Sequence, residues 1–344
     1  MEIQVITTQA QWQALEKDWD ALLVQSFQSV PFLSFGYLRA WWDSMGGGEW
    51  LKKKSSLAIL CGYENGTLAG IAPLFLSKKP GHPLALRFIG QIEVSDYLDL
   101  ICRESDLPAF CEAMLAFLEQ DKQLPTHQLS LANLLDTSPT PTALAKAAEA
   151  AGWEYAQEVI QPSPYIPLAE NFDTYLASID KKQRHEIRRK LRNADLNYEV
   201  DWYSVEHIQS CQAEMDDFLA MMRNESQKDA FLTQEMVVFM QQAALAMCKQ
   251  GKLVLSFLTL NGEKAGAYLS FLHEPALLVY NSAFNPRVSS ASPGWVLLAK
   301  LIQWAITEGL TELDMMRGDE DYKYKFGGMN RYVSRIELVP PKGI

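Results

Sequence analysis

Between Asp314 and Lys323 the chain gathers carboxylates, a phenol, a guanidinium and an ammonium: Asp314, Arg317, Asp319, Glu320, Tyr322 and Lys323. Asp314 alternates with the apolar Leu313 and Met315, the pattern of a strand end with one face turned to a site. Gly318 gives the backbone the freedom an unusual strand exit needs. The chemistry these types can do together is proton management during attack by an amine. A carboxylate at Asp314 can take a proton from an attacking ammonium, directly or through water, and the Tyr322 hydroxyl can return one to the leaving group. Lys323 completes the candidate catalytic set. The structural alternative pairs Asp314 with Arg317 or Lys323 and leaves Glu320 and Asp321 solvated.

The elements that must position this cluster lie between Leu277 and Gly328. An apolar strand at Leu277 is followed by a loop, a helix and a second strand that ends at Asp314. In the helix Trp295, Leu298, Ala299, Ile302, Ala305 and Ile306 keep helical spacing, while Lys300, Gln303 and Thr307 form a narrow polar stripe. Ser292 suits the N-cap through its hydroxyl, Pro293 the first helical position and Gly309 the left-handed stop. This order predicts a right-handed βαβ unit with parallel strands, whose carboxyl edge is where ligands of open α/β sheets bind. The loop from Ser289 to Gly294 then offers N–H groups and the positive helix end to a phosphate or pyrophosphate, with a plain helix cap as the alternative. Tyr280 on the first strand and Arg317 after the second are candidate substrate contacts.

A second charged feature is Lys181–Arg192, which holds seven Lys/Arg against one Glu. Ile187 and Leu191 can anchor it as a helix while the cations face a phosphate or polyanion, or simply water. The remaining order is regular. Hairpins are expected around Asn65-Gly66 and Asn261-Gly262, helices over about 107–119, 208–223 and 233–249, and a closing strand over 333–339. The prolines at 162, 164 and 167 mark a boundary, giving domains 1–168 and 169–344 with the same order of elements. In the first, Asp96, Tyr97 and Asp99 form a weaker cluster; Asp96 and Tyr97 are candidates for the acceptor cleft, against a solvated strand edge.

Composition sets the class. The 344 residues are 48% hydrophobic and 21% charged with a net charge of −11, which describes a globular protein that as a whole repels DNA and anionic membranes. Five cysteines without a C-x-x-C pair indicate reduced thiols and a cytoplasmic location. The start carries no signal-like segment and no run is long enough to span a bilayer. The five histidines lack metal-ligand spacing, and no Ser-His-Asp elbow, Walker loop or dinucleotide fingerprint occurs.

The segments KKQRHEIRRKLR, GAYLSF, SSASPG, WAITEGL and ELDMMRGDEDYKYKFG resemble the GNAT acyltransferase superfamily, in particular its FemAB/CelD-like branch. The first half fits more loosely through PFLSFGYLRAWW, GIAPLF and DYLDL. The resemblance implies an α/β fold of tandem GNAT-like domains, each a mixed, mostly antiparallel sheet with a central parallel βαβ unit. It implies acyl-CoA as co-substrate, held by the loop through Arg287, Ser289, Ser290, Ser292 and Gly294. Here Arg287 matches the family's R/Q-x-x-G-x-G/A pattern, serines stand at both glycine positions and Gly294 comes two residues late. The expected function is N-acyl transfer to an amine of a small molecule, saccharide or cell-envelope precursor. Its rivals are a Fem-type transferase using aminoacyl-tRNA and an inactive GNAT-like binding protein of exopolysaccharide synthesis.

Overall fold

A computed structural model describes residues 1–46, 55–78, 81–91, 93–121, 123–124, 126–205, 207–273 and 275–341. Contacts divide the chain into Met1–Gln161 with Arg331–Ile344, and Pro162–Asn330. The break therefore falls at 161/162 rather than 168/169. The closing strand, expected in the second domain, belongs to the first unit because it pairs there.

The first unit contains β1 (Glu2–Ile6), α1 (Gln9–Ala14), α2 (Glu16–Gln25), α3 (Phe35–Met45), β2 (Ser56–Leu57), β3 (Ile59–Glu64), β4 (Thr67–Ala72), β5 (Leu74–Ser77), β6 (Ala85–Phe88), β7 (Ile101–Cys102), α4 (Leu107–Gln120), β8 (Leu129–Leu135), α5 (Thr140–Ala151) and the start of β9 (Glu154–Pro167). Thr8 and Gln11 form a capping box that starts α1. Trp12, Trp19 and Phe35 then pack with ring centroids 5.7–6.1 Å apart and anchor the first three helices together. One sheet runs β1-β3-β4-β7, and β8 pairs antiparallel with β15 (Met329–Val339) from Val333 to Leu338. β7 covers only Ile101–Cys102, so Asp96, Tyr97 and Asp99 precede it rather than form a strand edge.

The second unit takes the end of β9 and continues with α6 (Phe172–Ser178), α7 (Lys181–Asn197), β10 (Val200–Ser204), α8 (Ile208–Met222), α9 (Ser226–Phe231), α10 (Gln234–Lys249), β11 (Leu253–Leu260), β12 (Glu263–His273), β13 (Ala276–Phe284), α11 (Pro293–Thr307), β14 (Glu312–Asp314) and α12 (Asp321–Lys325). Its strand order is β10-β11-β12-β13-β14-β9. Asn261 (φ 53°) and Gly262 (φ 80°) both take positive φ, the type I′ geometry that lets β11 and β12 twist together. Pairing is antiparallel except between β13 and β14, which run parallel as the βαβ order requires. The helix of that unit, α11, buries Leu297, Leu298, Leu301 and Ile302 in a core shared with Leu258, Leu277 and Leu313. Each such side chain contributes about 1.5–3 kcal/mol relative to exposure.

Candidate functional site

Parallel pairing between β13 and β14 covers Ala276↔Glu312, Leu277↔Leu313 and Leu278↔Asp314 only. β14 then ends while β13 continues to Phe284, so the two strands part. Within β13 the register against β12 shifts between Leu269 and Ser270, which face Asn281 and Val279, and Tyr280 is the extra residue of a bulge. A bulge re-aims side chains and bends its strand, which suits a strand leaving its neighbour. Where the strands part lies a cleft of ≈ 320 Å³, lined among others by Tyr280, Ser282, Phe284, Arg317, Tyr322 and Lys323. Four of these residues, Tyr280, Arg317, Tyr322 and Lys323, are among those the sequence singles out.

The second lip of the cleft is held by two side chains. Asp314 is 2% exposed, and its Oδ1 accepts the Met316 N–H at 2.8 Å. Met316 takes φ 61°, a left-handed conformation that costs a non-glycine residue on the order of 1 kcal/mol. Its carbonyl accepts from Lys323 Nζ at 3.0 Å, and the same ammonium reaches the carbonyls of Arg317 (2.8 Å) and Gly318 (3.3 Å) and Glu320 Oε2 (2.9 Å). Lys323 is thus a buried clamp on the strand exit, occupied by four acceptors. Gly318 takes φ 118°, a backbone conformation that side-chain-bearing residues rarely adopt, so glycine suits this exit.

Tyr322 enters the cleft wall from α12. Burial, and then the nearby charge of Glu320, push its hydroxyl above the ordinary tyrosine range, so it keeps its proton at neutral and moderately alkaline pH. Tyr268 on β12 is pushed up the same way, by burial first and by Tyr322 second. Two phenols that stay protonated therefore line a space with no buried aspartate among its lining residues.

The loop is organised differently from the expectation. Residues Pro286–Ala291 coil into 3-10 turns, and Ser292 sits in the left-handed region (φ 54°, ψ 52°) without capping α11 through its side chain. Its hydroxyl instead accepts from Lys190 Nζ of α7 at 2.7 Å, and that ammonium lies 5.0 Å from the Trp295 ring centroid. The amide N–H groups of Arg287, Val288 and Ser292 are already bonded, to Asn285 Oδ1, Asn285 O and Ser289 O. Pro293 is at the first helical position and Gly309 has φ 78°, both as the sequence predicts. Gly294 backs the cleft: a Cβ there would lie 2.8 Å from the Phe284 ring. Ser289, Ser290 and Arg287 stay with this loop, which α7 abuts.

Asp96 and Tyr97 belong to the first unit, whereas the residues lining this cleft belong to the second. They are buried in the first unit, with Tyr97 1% exposed and its ring 6.3 Å from that of Phe32. Conversely, sequence spacing overlooks Glu225 and Lys228, which line the cleft from α9, and Tyr268 and Phe284. No local pattern singles out Lys228, some 90 residues before the acidic cluster; only the fold brings it to β13, where its Nζ donates to the Ser282 carbonyl at 2.7 Å.

The stretch of sequence that builds this cleft is matched by a family model. Residues 181–324 match the family described as "Acetyltransferase (GNAT) domain". The second unit carries a GNAT-type domain. Such a domain match supports acyl transfer as the general class of activity. No curated protein sequence matches it. Among solved structures it is similar in fold to FemX (13% identity, TM-score 0.64, 97% of each chain covered). It also resembles the C-terminal domain of a putative lysylphosphatidylglycerol synthetase from Agrobacterium fabrum (10% identity, TM-score 0.57, 97% of this chain and 93% of that one). L-PGS from Bacillus licheniformis is a third (13% identity, TM-score 0.52, 89% of this chain and 92% of that one). Among the described residues no group of His, Cys, Asp or Glu could hold a metal ion, and no helix is long and apolar enough to cross a membrane.

Proposed function

We propose that this GNAT chain transfers an acyl group from acyl-CoA to an amine of a small-molecule, saccharide or envelope-precursor acceptor, in the cleft where β13 and β14 part. The observation that carries this reading is the continuation of β13 from Val279 to Phe284 beyond its last rung with β14, facing the protonated phenol of Tyr322 across the cleft. A strand that continues beyond its neighbour can pair with the amides of an extended donor, as in strand addition, once Lys228 and Asn281 release the backbone of Ser282. Arg287 and Lys190 stand at the loop end of the same strand, on the side where donor phosphates would lie.

In this reading the amine attacks the thioester carbonyl directly, because the cysteines are not placed beside a base in the cleft. The N–C bond forms, the C–S bond breaks, and the Tyr322 hydroxyl gives its proton to the departing sulfur. Water in the open cleft takes the ammonium proton and returns one to the Tyr322 phenolate. Asp314 and Lys323 act as positioning residues through Met316, and Tyr280 and Arg317 contact substrate. The first unit, with Asp96 and Tyr97 in its core, is a degenerate GNAT-like domain of acceptor-side or structural function.

One observation favours a second reading. Serines at the glycine positions and loop amides already engaged in 3-10 turns make a poor pyrophosphate cradle. An aminoacyl-tRNA donor needs no such cradle, and the basic face of α7 abuts the loop. The deciding assay offers purified protein and a panel of amines either acyl-CoAs or aminoacyl-tRNA. Release of free thiol matched by N-acylated product supports the first reading, and deacylation of tRNA with no thiol release supports the second.

A further inference from the structure

The α9 wall of the cleft carries a charge arrangement that acyl transfer itself does not use. Lys228 Nζ lies 2.7 Å from the Ser282 carbonyl oxygen and 3.2 Å from Glu225 Oε2. The Ser282 N–H donates to Asn281 Oδ1 at 2.8 Å. Ser282, on the length of β13 that has lost its β14 partner, therefore has both backbone groups bonded to side chains.

The two lysines of the cleft differ in commitment. Lys323 is clamped by three carbonyls and Glu320, with its side chain 3% exposed. Lys228 is held by one neutral carbonyl, a more distant hydroxyl and a carboxylate whose side chain is 56% exposed. An ion pair that exposed contributes little, so exchanging it for another anion costs little. The cleft lining places Lys228, Arg317 and Lys323 against Glu225 and Glu320, a positive balance inside a chain of net charge −11. Such a local field draws anions toward an otherwise repelling surface.

We propose that Lys228 is a specificity-determining residue that selects a substrate bearing an anionic group, a phosphate or a carboxylate. Glu225 and the Ser282 carbonyl hold its ammonium until that group arrives. The proposal rests on the reading of this cleft as the acyl-transfer site, and it adds the chemical class of the molecule admitted there.

The test is calorimetric titration of the full chain with inorganic phosphate and, separately, with malonate. Wild type is compared with Lys228→Met, Lys228→Arg and Glu225→Gln. The expected result is that wild type binds at least one of the two anions, Lys228→Met weakens it by about fivefold or more, and Lys228→Arg retains it, as a charge-assisted contact requires. Glu225→Gln, which removes the competing carboxylate, should tighten it. A response to phosphate alone assigns a phosphorylated substrate, and one to malonate alone assigns a carboxylate. Equal affinity in wild type and Lys228→Met, or no binding of either anion by wild type at tens of millimolar, overturns the proposal. Because binding is read without turnover, its failure is distinct from an absence of acyl transfer.

Discussion

Leu278 and Asp314 form the last rung between β13 and β14, and beyond that rung the strands open around the cleft. The rung fixes where the opening begins. The Asp314 carboxylate on it also holds the first residue of the opposing lip, through the Met316 N–H.

Asp314→Asn retains an oxygen acceptor for that N–H, so turnover should stay within about tenfold of wild type if the residue positions rather than exchanges protons. Asp314→Ala leaves a buried N–H unsatisfied and should cost about 1–3 kcal/mol in urea denaturation. A loss of roughly 10²- to 10⁴-fold in kcat for the asparagine variant, with donor binding unchanged, would instead identify Asp314 as a general base.

Tyr322→Phe removes the proposed acid and little else. Turnover should fall by roughly 10²-fold with donor affinity unchanged, as for loss of a general acid. Since burial and Glu320 raise this hydroxyl, its protonated form persists upward in pH, and the wild-type rate should show no tyrosine-dependent decline below about pH 10. A pH–rate profile on both proteins checks this.

Lys323→Met leaves the carbonyls of Met316, Arg317 and Gly318 without their common donor. Breaking a buried charge cluster by removing one partner costs about 3–5 kcal/mol, so the variant should melt well below wild type. Melting at the wild-type temperature would show the clamp to be dispensable.

Gly294→Val drives a Cβ toward the Phe284 ring, which lines the cleft. The apparent donor constant should rise severalfold while circular dichroism stays that of wild type. An unchanged donor constant would separate this glycine from the donor path.

In the first unit, burial raises the Asp99 carboxyl to about 6, against lowering hydrogen bonds from Ser138, Thr140 and the Leu100 amide. A raised carboxyl favours the folded state while protonated. Its contribution is present below the ordinary aspartate value of about 4 and is lost as pH climbs through about 6. Asp99→Asn should therefore be more stable than wild type at pH 7, by up to about 2–3 kcal/mol, and the difference should shrink toward pH 4. Parallel stability curves for the two proteins would remove Asp99 as the cause.

Much of this was legible in the chain because it is local. Asn261-Gly262 can hardly be anything but a tight hairpin turn, and Pro293, Gly309 and the apolar face between them bound α11. Parallel strands follow from that helix, and with them the edge at Asp314. What was not legible depends on distant partners. Ser292 has the chemistry of a cap, but Lys190 of α7 takes its hydroxyl and the backbone turns left-handed. Lys323 reads as a catalytic cation until its four acceptors, supplied by the folded exit loop, are known. Lys228 and Tyr268 carry no signal in sequence, since only the bulged β13 and its neighbours bring them to the cleft. The closing strand pairs with β8, some 200 residues upstream, a choice that no local pattern encodes.

The most direct measurement is amide hydrogen exchange with and without a saturating, non-reactive acyl-CoA thioether. If the donor lies where β13 and β14 part, protection should rise over Val279–Phe284 and Met315–Gly318 and at the start of α11, with the rest of the second unit unchanged. Binding that leaves both lips of the cleft exchanging as in the free protein, or an absence of binding altogether, would contradict an acyl-CoA-dependent transfer at this site.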